Sequence, residues 1–180
     1  MKNSFLLPEE LKRLGFKSLG EHVFISRFAS FYEPATIELG DHVRIDDFCI
    51  LSGNIKLGNY IHISAGSSLY GRYGIEMKDY TGLSPKCTLF SAVDDFSGNF
   101  MISPLVDPKF TNVTGGKILL KKYSQVGCNC VIMPSITVGE GAIAGALSLI
   151  KSDLDPWKIY GGVPARYIMD RSKELLKFGL

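Results

Sequence analysis

From Leu39 onward an aliphatic residue returns at every sixth position: Leu39, Ile45, Leu51, Leu57, Ile63 and Leu69. The residue four further on is again apolar or small, as at Val43, Cys49, Ile55, Ile61 and Ser67. After a two-residue slip the frame resumes at Met77, Leu83 and Leu89. It then vanishes for some thirty residues and returns at Leu120, Val126, Ile132, Val138, Ala144 and Ile150. Upstream, Ile25 and Phe31 fit the same frame with one more two-residue slip before Leu39. An α-helix needs a period near 3.6 and a simple strand a period of 2. Six is a multiple of two, so each hexad can hold a short strand. Glycine at the second position (Gly40, Gly58, Gly127, Gly139, Gly145) then demands a turn in every hexad. Short strands, tight turns and one inward anchor per strand describe a prism-like coil with three flat faces. Its anchors stack in ladders that fill the interior.

The cysteines obey this frame. Cys49, Cys87 and Cys130 fall at the fifth, inward position of their hexads, where a small apolar side chain packs well. No CxxC pair exists, so the thiols read as structural, and Cys128 alone is expected to point outward. Two segments lie outside the coil. Leu7–Gly15 reads as a short helix opened by Pro and Glu and closed by Gly, and residues 171–180 read as a terminal helix. The break at 91–117 holds two prolines and three glycines, and a loop of that length inside a repeat protein is usually functional or disordered. Its aromatic residues Phe96, Phe100 and Phe110 argue against disorder. The expected organisation is a single domain over 1–180. An N-terminal segment spans 1–20, a β-helix about 23–155, and a C-terminal segment 156–180.

Composition narrows the partners. Twenty Lys plus Arg against 18 Asp plus Glu excludes a strongly basic nucleic-acid binder. No apolar run approaches the ~18 residues of a membrane span, and no export signal is visible, so a cytoplasmic protein is expected. Residues 1–116 carry 11 basic and 13 acidic side chains (−2), and residues 117–180 carry 9 and 5 (+4). That positive final third reads as solvated surface, and it would also suit a phosphorylated ligand.

Three stretches carry a family likeness: Val126–Pro134, Val138–Ala146 and the Gly162-Val-Pro-Ala-Arg166 ending after the last coil. With the hexads and the long interrupting loop, residues 35–170 resemble the hexapeptide-repeat acyltransferases. In particular they resemble the galactoside and maltose acetyltransferases and the nucleotide-amino-sugar N-acyltransferases. The resemblance implies an all-β, left-handed parallel β-helix working as a homotrimer, with each active site between neighbouring subunits. It also implies acetyl-CoA or another acyl-CoA as co-substrate and no metal. Carried over position by position, Cys128, Ala146, Lys151, Ser152 and Arg166 match residues that contact coenzyme A. Lys151 and Arg166 alone read as ordinary surface charges, but in that frame they supply the charge that phosphates need. Trp157 reads either as a cover for the adenine or as packing.

The sequence departs from the galactoside and maltose enzymes at one position. There the loop begins with a His-Pro pair whose histidine is the general base, and here Asp94 stands in its place. A carboxylate of pKa ~4 is a poor base for a sugar hydroxyl. A neutral sugar amine is already nucleophilic and needs orienting and somewhere to lose a proton, which an aspartate can supply. The expected reaction is therefore N-acylation of a sugar amine; that the sugar is nucleotide-linked and serves surface-polysaccharide precursor synthesis is what the resemblance implies. Asp94 is the candidate catalytic residue, and Asp94, Asp95 and Phe96 the candidate acceptor-binding residues. His62 is the alternative base and would accompany O-acetylation of a saccharide. A non-catalytic scaffold is the third reading. His42 is the fourth residue of its hexad and His62 the sixth, so His22, His42 and His62 cannot form one ladder and are not expected to converge on a metal.

Overall fold

The computed structural model describes residues 4–179, and its architecture is a parallel β-helix of about seven turns. Three hexads complete one coil, so every anchor lies beside the anchor three hexads later. Leu39, Leu57, Met77, Leu120 and Val138 form one ladder. Ile45, Ile63, Leu83, Val126 and Ala144 form a second. Leu51, Leu69, Leu89, Ile132 and Ile150 form the third. None of these side chains is more than 2% exposed. At ~1.5–3 kcal/mol for each large aliphatic residue buried, the three ladders are the main source of stability. Cys49, Cys87 and Cys130 lie in the same interior, as the frame requires. Burial pushes the Cys49 thiol up, and a hydrogen bond with Cys130 together with burial does the same for Cys87.

One turn corner carries a column of rings. His22, His42, Tyr60, Tyr80, Tyr123 and Trp157 all adopt left-handed backbone, with φ between 55° and 63°. From His22 to Tyr123 successive rings stack at 4.5–5.5 Å, and Trp157 closes the column 6.2 Å from Tyr123. A Cβ on Gly141 would lie 2.6 Å from the Trp157 ring, so only glycine lets the indole settle there. Trp157 is 9% exposed beneath Arg171 and Lys173. Packing is therefore the reading of Trp157 that holds, and its ring faces have little left to offer an adenine.

The departures from the hexad frame all leave the coil at one other corner. Tyr32, Ser52, Tyr70 and Phe90 are register partners on successive coils, and Tyr32, Tyr70 and Phe90 are each followed by an irregularity. After Tyr32 comes Glu33 in left-handed backbone (φ 57°) and the 3-10 turn Pro34–Thr36. After Tyr70 the strand Ser68–Met77 bulges. Gly53 pairs with Gly71 and Ile55 with Ile75, which leaves Asn54 opposite Arg72, Tyr73 and Gly74. After Phe90 comes the long loop. It is ordered rather than bare: Ala92–Asp94 pairs antiparallel with Val113–Gly115, and a 3-10 turn spans Pro108–Phe110.

The ends differ from expectation in detail. The helix Pro8–Arg13 opens with proline and with Glu10 accepting from the Leu7 amide at 2.7 Å, and it buries Leu11 against the first coil. Parallel pairing already begins at Ser18–Leu19 and runs to Lys158–Gly161, beyond the 23–155 expected for the coil. Arg166–Asp170 then folds back antiparallel on that last strand. The terminal helix expected over 171–180 is only a 3-10 turn, Glu174–Phe178; residue 180 lies outside the described residues. Leu176 and Phe178 remain exposed, and so short a segment with no apolar face buried cannot repay helix nucleation. Among the described residues no helix is long and apolar enough to cross a membrane.

Candidate active site

The frame slips build a groove of about 1180 Å³. Tyr32 and Glu33 come from the first irregularity, Arg72 from the second and Asp94 from the loop hairpin. The loop's far side adds Pro104, Val106 and Pro108 as an apolar wall. The groove can take a ligand larger than a simple sugar, since compact ligand pockets run to ~300–1,000 Å³.

Asp94 and Asp95 are separated by the alternation of extended backbone. Asp95 is a structural residue. It accepts from the Ser97 amide at 2.8 Å and from Asn112 Nδ2 at 2.9 Å, tying the two sides of the loop together. Those hydrogen bonds, Ser97 first, hold its carboxyl below the usual carboxylate range. Asp94 lines the groove, and its carboxylate makes no hydrogen bond or ion pair among the described residues. Arg72 is the one cation lining the groove, and it too has no ion-pair partner there. Phe96 is 77% exposed on the loop, and neither it nor Asp95 lines the groove of the single chain.

His62 belongs elsewhere. It stands on the sheet that runs through Val43–Ile45, Ile61–Ile63 and Gly82–Leu83, with Nε2 2.8 Å from Asp46 Oδ2. Arg44 holds the other oxygen of Asp46 at 2.7 Å, and Ser64 Oγ lies 3.5 Å from the imidazole. His22 and His42 stack on each other in the ring column, away from the Asp46 partner of His62.

The five coenzyme A candidates are strung along the C-terminal coils rather than clustered. Cys128 and Ala146 share one corner, where the Leu147 amide donates to the Cys128 carbonyl at 2.8 Å. Lys151 and Ser152 sit at the next corner, after the strand Leu149–Ile150. Arg166 follows Ala165, whose amide donates to the Leu149 carbonyl at 2.8 Å. An extended ligand fits this layout. Ala146 is exposed with no backbone partner for its amide, while Lys151 and Arg166 are exposed without ion pairs among the described residues. Pantetheine amides need such backbone, and phosphates need such cations.

A curated relative, the dTDP-4-amino-4,6-dideoxy-D-glucose acyltransferase of Escherichia coli, is 40% identical over 177 residues. The match takes in 97% of this chain and 92% of that protein. The chain belongs to the hexapeptide-repeat nucleotide-amino-sugar N-acyltransferases. As a member of these N-acyltransferases it is an acyl-CoA-dependent enzyme that acylates a sugar amine. The crystal structure of AntD, an N-acyltransferase from Bacillus cereus in complex with dTDP and 3-hydroxybutyryl-CoA, superposes with a TM-score of 0.96. It is 45% identical, over 99% of this chain and 95% of AntD. Other solved forms of AntD carry substitutions at its positions 94 and 84. A hexapeptide-repeat acetyltransferase of Vibrio cholerae complexed with acetyl-coenzyme A shares the fold at a TM-score of 0.62 and 18% identity. No protein-family model matches the sequence.

Proposed function

We propose that the acceptor of this N-acyltransferase is a dTDP-linked 4-amino-4,6-dideoxyhexose, that Asp94 handles the amine, and that the working unit is a homotrimer. The observation that carries the assignment of Asp94 is its carboxylate, without a hydrogen bond or ion pair among the described residues, in a large groove that is also lined by Arg72. The acceptor follows from the relatives: the Escherichia coli protein is named for such a sugar, and AntD has been solved with dTDP-4-amino-4,6-dideoxyglucose and coenzyme A.

In this reading the Asp94 carboxylate accepts a hydrogen bond from the amine and fixes its lone pair toward the thioester. The nitrogen attacks the thioester carbon, and the C–N bond forms as the C–S bond breaks. The proton released by nitrogen passes through Asp94 to the departing thiolate of coenzyme A. The thiol and the amide are the products. Coenzyme A lies along Cys128, Ala146, Lys151, Ser152 and Arg166, with the two cations at its phosphates.

The trimer has support from position. AntD has been altered at positions 94 and 84, and this chain carries Asp94 and Ser84 at those numbers. Ser84 follows the strand Gly82–Leu83, which belongs to the sheet that holds His62, whereas Asp94 is on the hairpin beyond Thr88–Phe90. One chain keeps these two positions on different corners. A neighbouring copy can bring its own Ser84 edge, with His62, up to the Asp94 groove. Ser84 was not a candidate from sequence, because a serine in a turn of a solenoid looks like any capping hydroxyl. The enzyme's place is the cytoplasm, where acyl-CoA is made, supplying an acylated sugar to surface-polysaccharide assembly.

The test is incubation with dTDP-4-amino-4,6-dideoxyglucose and a panel of acyl-CoA thioesters, read by mass spectrometry. A product that gains the acyl mass and survives alkali is an amide and supports the proposal. An alkali-labile ester overturns it in favour of O-acylation.

A further inference from the structure

We propose that the gap over Ser52, between the rings of Tyr32 and Tyr70, is the seat of the acceptor's nucleobase. The inference rests on the nucleotide-linked acceptor proposed above and adds which residues hold its base.

Tyr32, Ser52, Tyr70 and Phe90 occupy one outward rung position on four successive coils. Parallel strands lie ~4.8 Å apart, so rings at consecutive rungs are forced into stacking distance. Tyr70 and Phe90 obey this at 5.4 Å and 9°. The ring column at the other corner obeys it too, from His22 through Tyr80, at 4.5–4.7 Å. At Ser52 the stack is interrupted. Tyr32 therefore has no ring on its inner side among the described residues, and it is 60% exposed. Tyr70, capped by Phe90 on one face, is 37% exposed. The two tyrosines stand two rungs apart, ~9.5 Å, which leaves room for one planar ring once each leans toward it. A small hydroxyl residue is the floor, so the gap is flat-walled, aromatic and open to the groove.

The rest of the groove continues in the order a nucleotide sugar requires. Along the strand Ser68–Met77, Tyr70 and Arg72 both point outward with Gly71 turned inward between them. Two residues of strand carry the chain ~6.6 Å, about the reach across a pentose from base to phosphate. Arg72 is the one cation lining the groove and offers a planar fork to phosphate oxygens. Asp94, assigned above to the amine, and Glu33 are the two acids of the same lining. The floor beneath this line is backbone. A Cβ on Gly71 would lie 2.7 Å from the Asn54 carbonyl oxygen, and one on Gly53 would lie 2.9 Å from the Gly71 carbonyl carbon. These contacts fix both positions as glycine, and the paired Gly53 and Gly71 line the groove with backbone. Base stacking on aromatic side chains is sequence-tolerant and strong enough that losing one ring costs ~10-fold or more in affinity.

Calorimetry with dTDP as the probe tests the assignment on the intact enzyme. Ser52→Phe completes the stack and fills the gap, and it should weaken dTDP binding ~10-fold or more. Tyr32→Ala, on an exposed ring, should do the same, and Tyr32→Phe should recover most of the loss. Coenzyme A affinity and the melting temperature, measured on each variant, guard against misfolding as the cause. Saturation transfer from tyrosine ring protons to the thymine methyl should be strong in the native enzyme and weak in Tyr32→Ala. If Ser52→Phe and Tyr32→Ala bind dTDP as the native enzyme does, the base lies elsewhere and this assignment is wrong. If the native enzyme neither binds dTDP nor acylates a dTDP-linked amino sugar, the proposed acceptor fails, and the slot with it.

Discussion

Asp94 and Asp95 are neighbours in sequence with opposite fates. One is consumed in holding the loop, and the other is left unpaired in the groove. Asp94→Asn keeps the shape and removes the charge, so acyl transfer should fall ~10²-fold or more, the range usual for general-base catalysis. Coenzyme A affinity, measured by calorimetry, should hardly move. His62→Ala is the comparison: if it abolishes turnover while Asp94→Asn does not, the base is His62. Asp95→Asn should act differently, loosening the loop and raising KM for the acceptor more than it lowers kcat. At the other end of the site, Arg166→Ala should weaken coenzyme A binding by ~1–3 kcal/mol, the scale of a charge-assisted hydrogen bond. Unchanged affinity by calorimetry would mean that the phosphates sit elsewhere.

At the scale of the elements, the ring column and the charged face give two stability predictions. Gly141→Ala drives a methyl into the Trp157 ring at a left-handed residue (φ 64°), and overpacking of this kind costs ~1–3 kcal/mol. The melting temperature should drop accordingly, with coenzyme A binding retained in whatever remains folded. On the charged face, Glu76 is bridged by Lys117 and Lys78, whose hydrogen bonds lower its pKa to about 2 from 4.5. A depressed carboxylate contributes stability that is full above its unfolded pKa and is lost as pH falls from 4.5 toward 2. Both lysines are half-exposed, so the contribution is on the order of 1 kcal/mol. Melting curves of Glu76→Gln and the native protein should therefore differ at pH 7, draw together below pH 4.5 and converge near pH 2. The coil itself was legible from sequence, because one inward residue per hexad leaves an unmistakable period. The terminal turn at Glu174–Phe178 was misread as a helix, because charged residues around a leucine pair say nothing about whether a surface exists to bury them. The slips before Leu39 and Met77 were visible as gaps in the count. Nothing in one dimension said that Glu33, Arg72 and Asp94 would be brought to the same corner. That requires knowing that three hexads make a coil. Phe96 was named for the acceptor by its adjacency to Asp94, and in the single chain its ring is exposed and does not line the groove.

For the whole molecule, the proposed trimer predicts a sedimentation mass of three chains at micromolar concentration. A mass of one chain would count against it. Sharing of the site between copies makes a sharper demand. Asp94→Asn and Ser84→Ala homotrimers should each be impaired, whereas co-expressed mixtures should regain activity, because some interfaces then carry both native residues. Recovery measured as kcat per chain in the purified mixture supports a shared site. Its absence, with mixed trimers verified by native mass spectrometry, would mean that both residues act within one chain.

A stack of like coils has translational symmetry: slide it by one rung and the interior is unchanged. A binding site is singular and has to break that symmetry somewhere. This chain breaks it three times, after Tyr32, Tyr70 and Phe90, each time at the same corner. The insertions therefore act like the marked tooth on an otherwise uniform gear, giving the molecule one distinguishable direction around its axis. The remaining corners keep the plain repeat. The rungs there can be exchanged for one another without disturbing the chemistry, but the offset between the three insertions cannot change by even one coil.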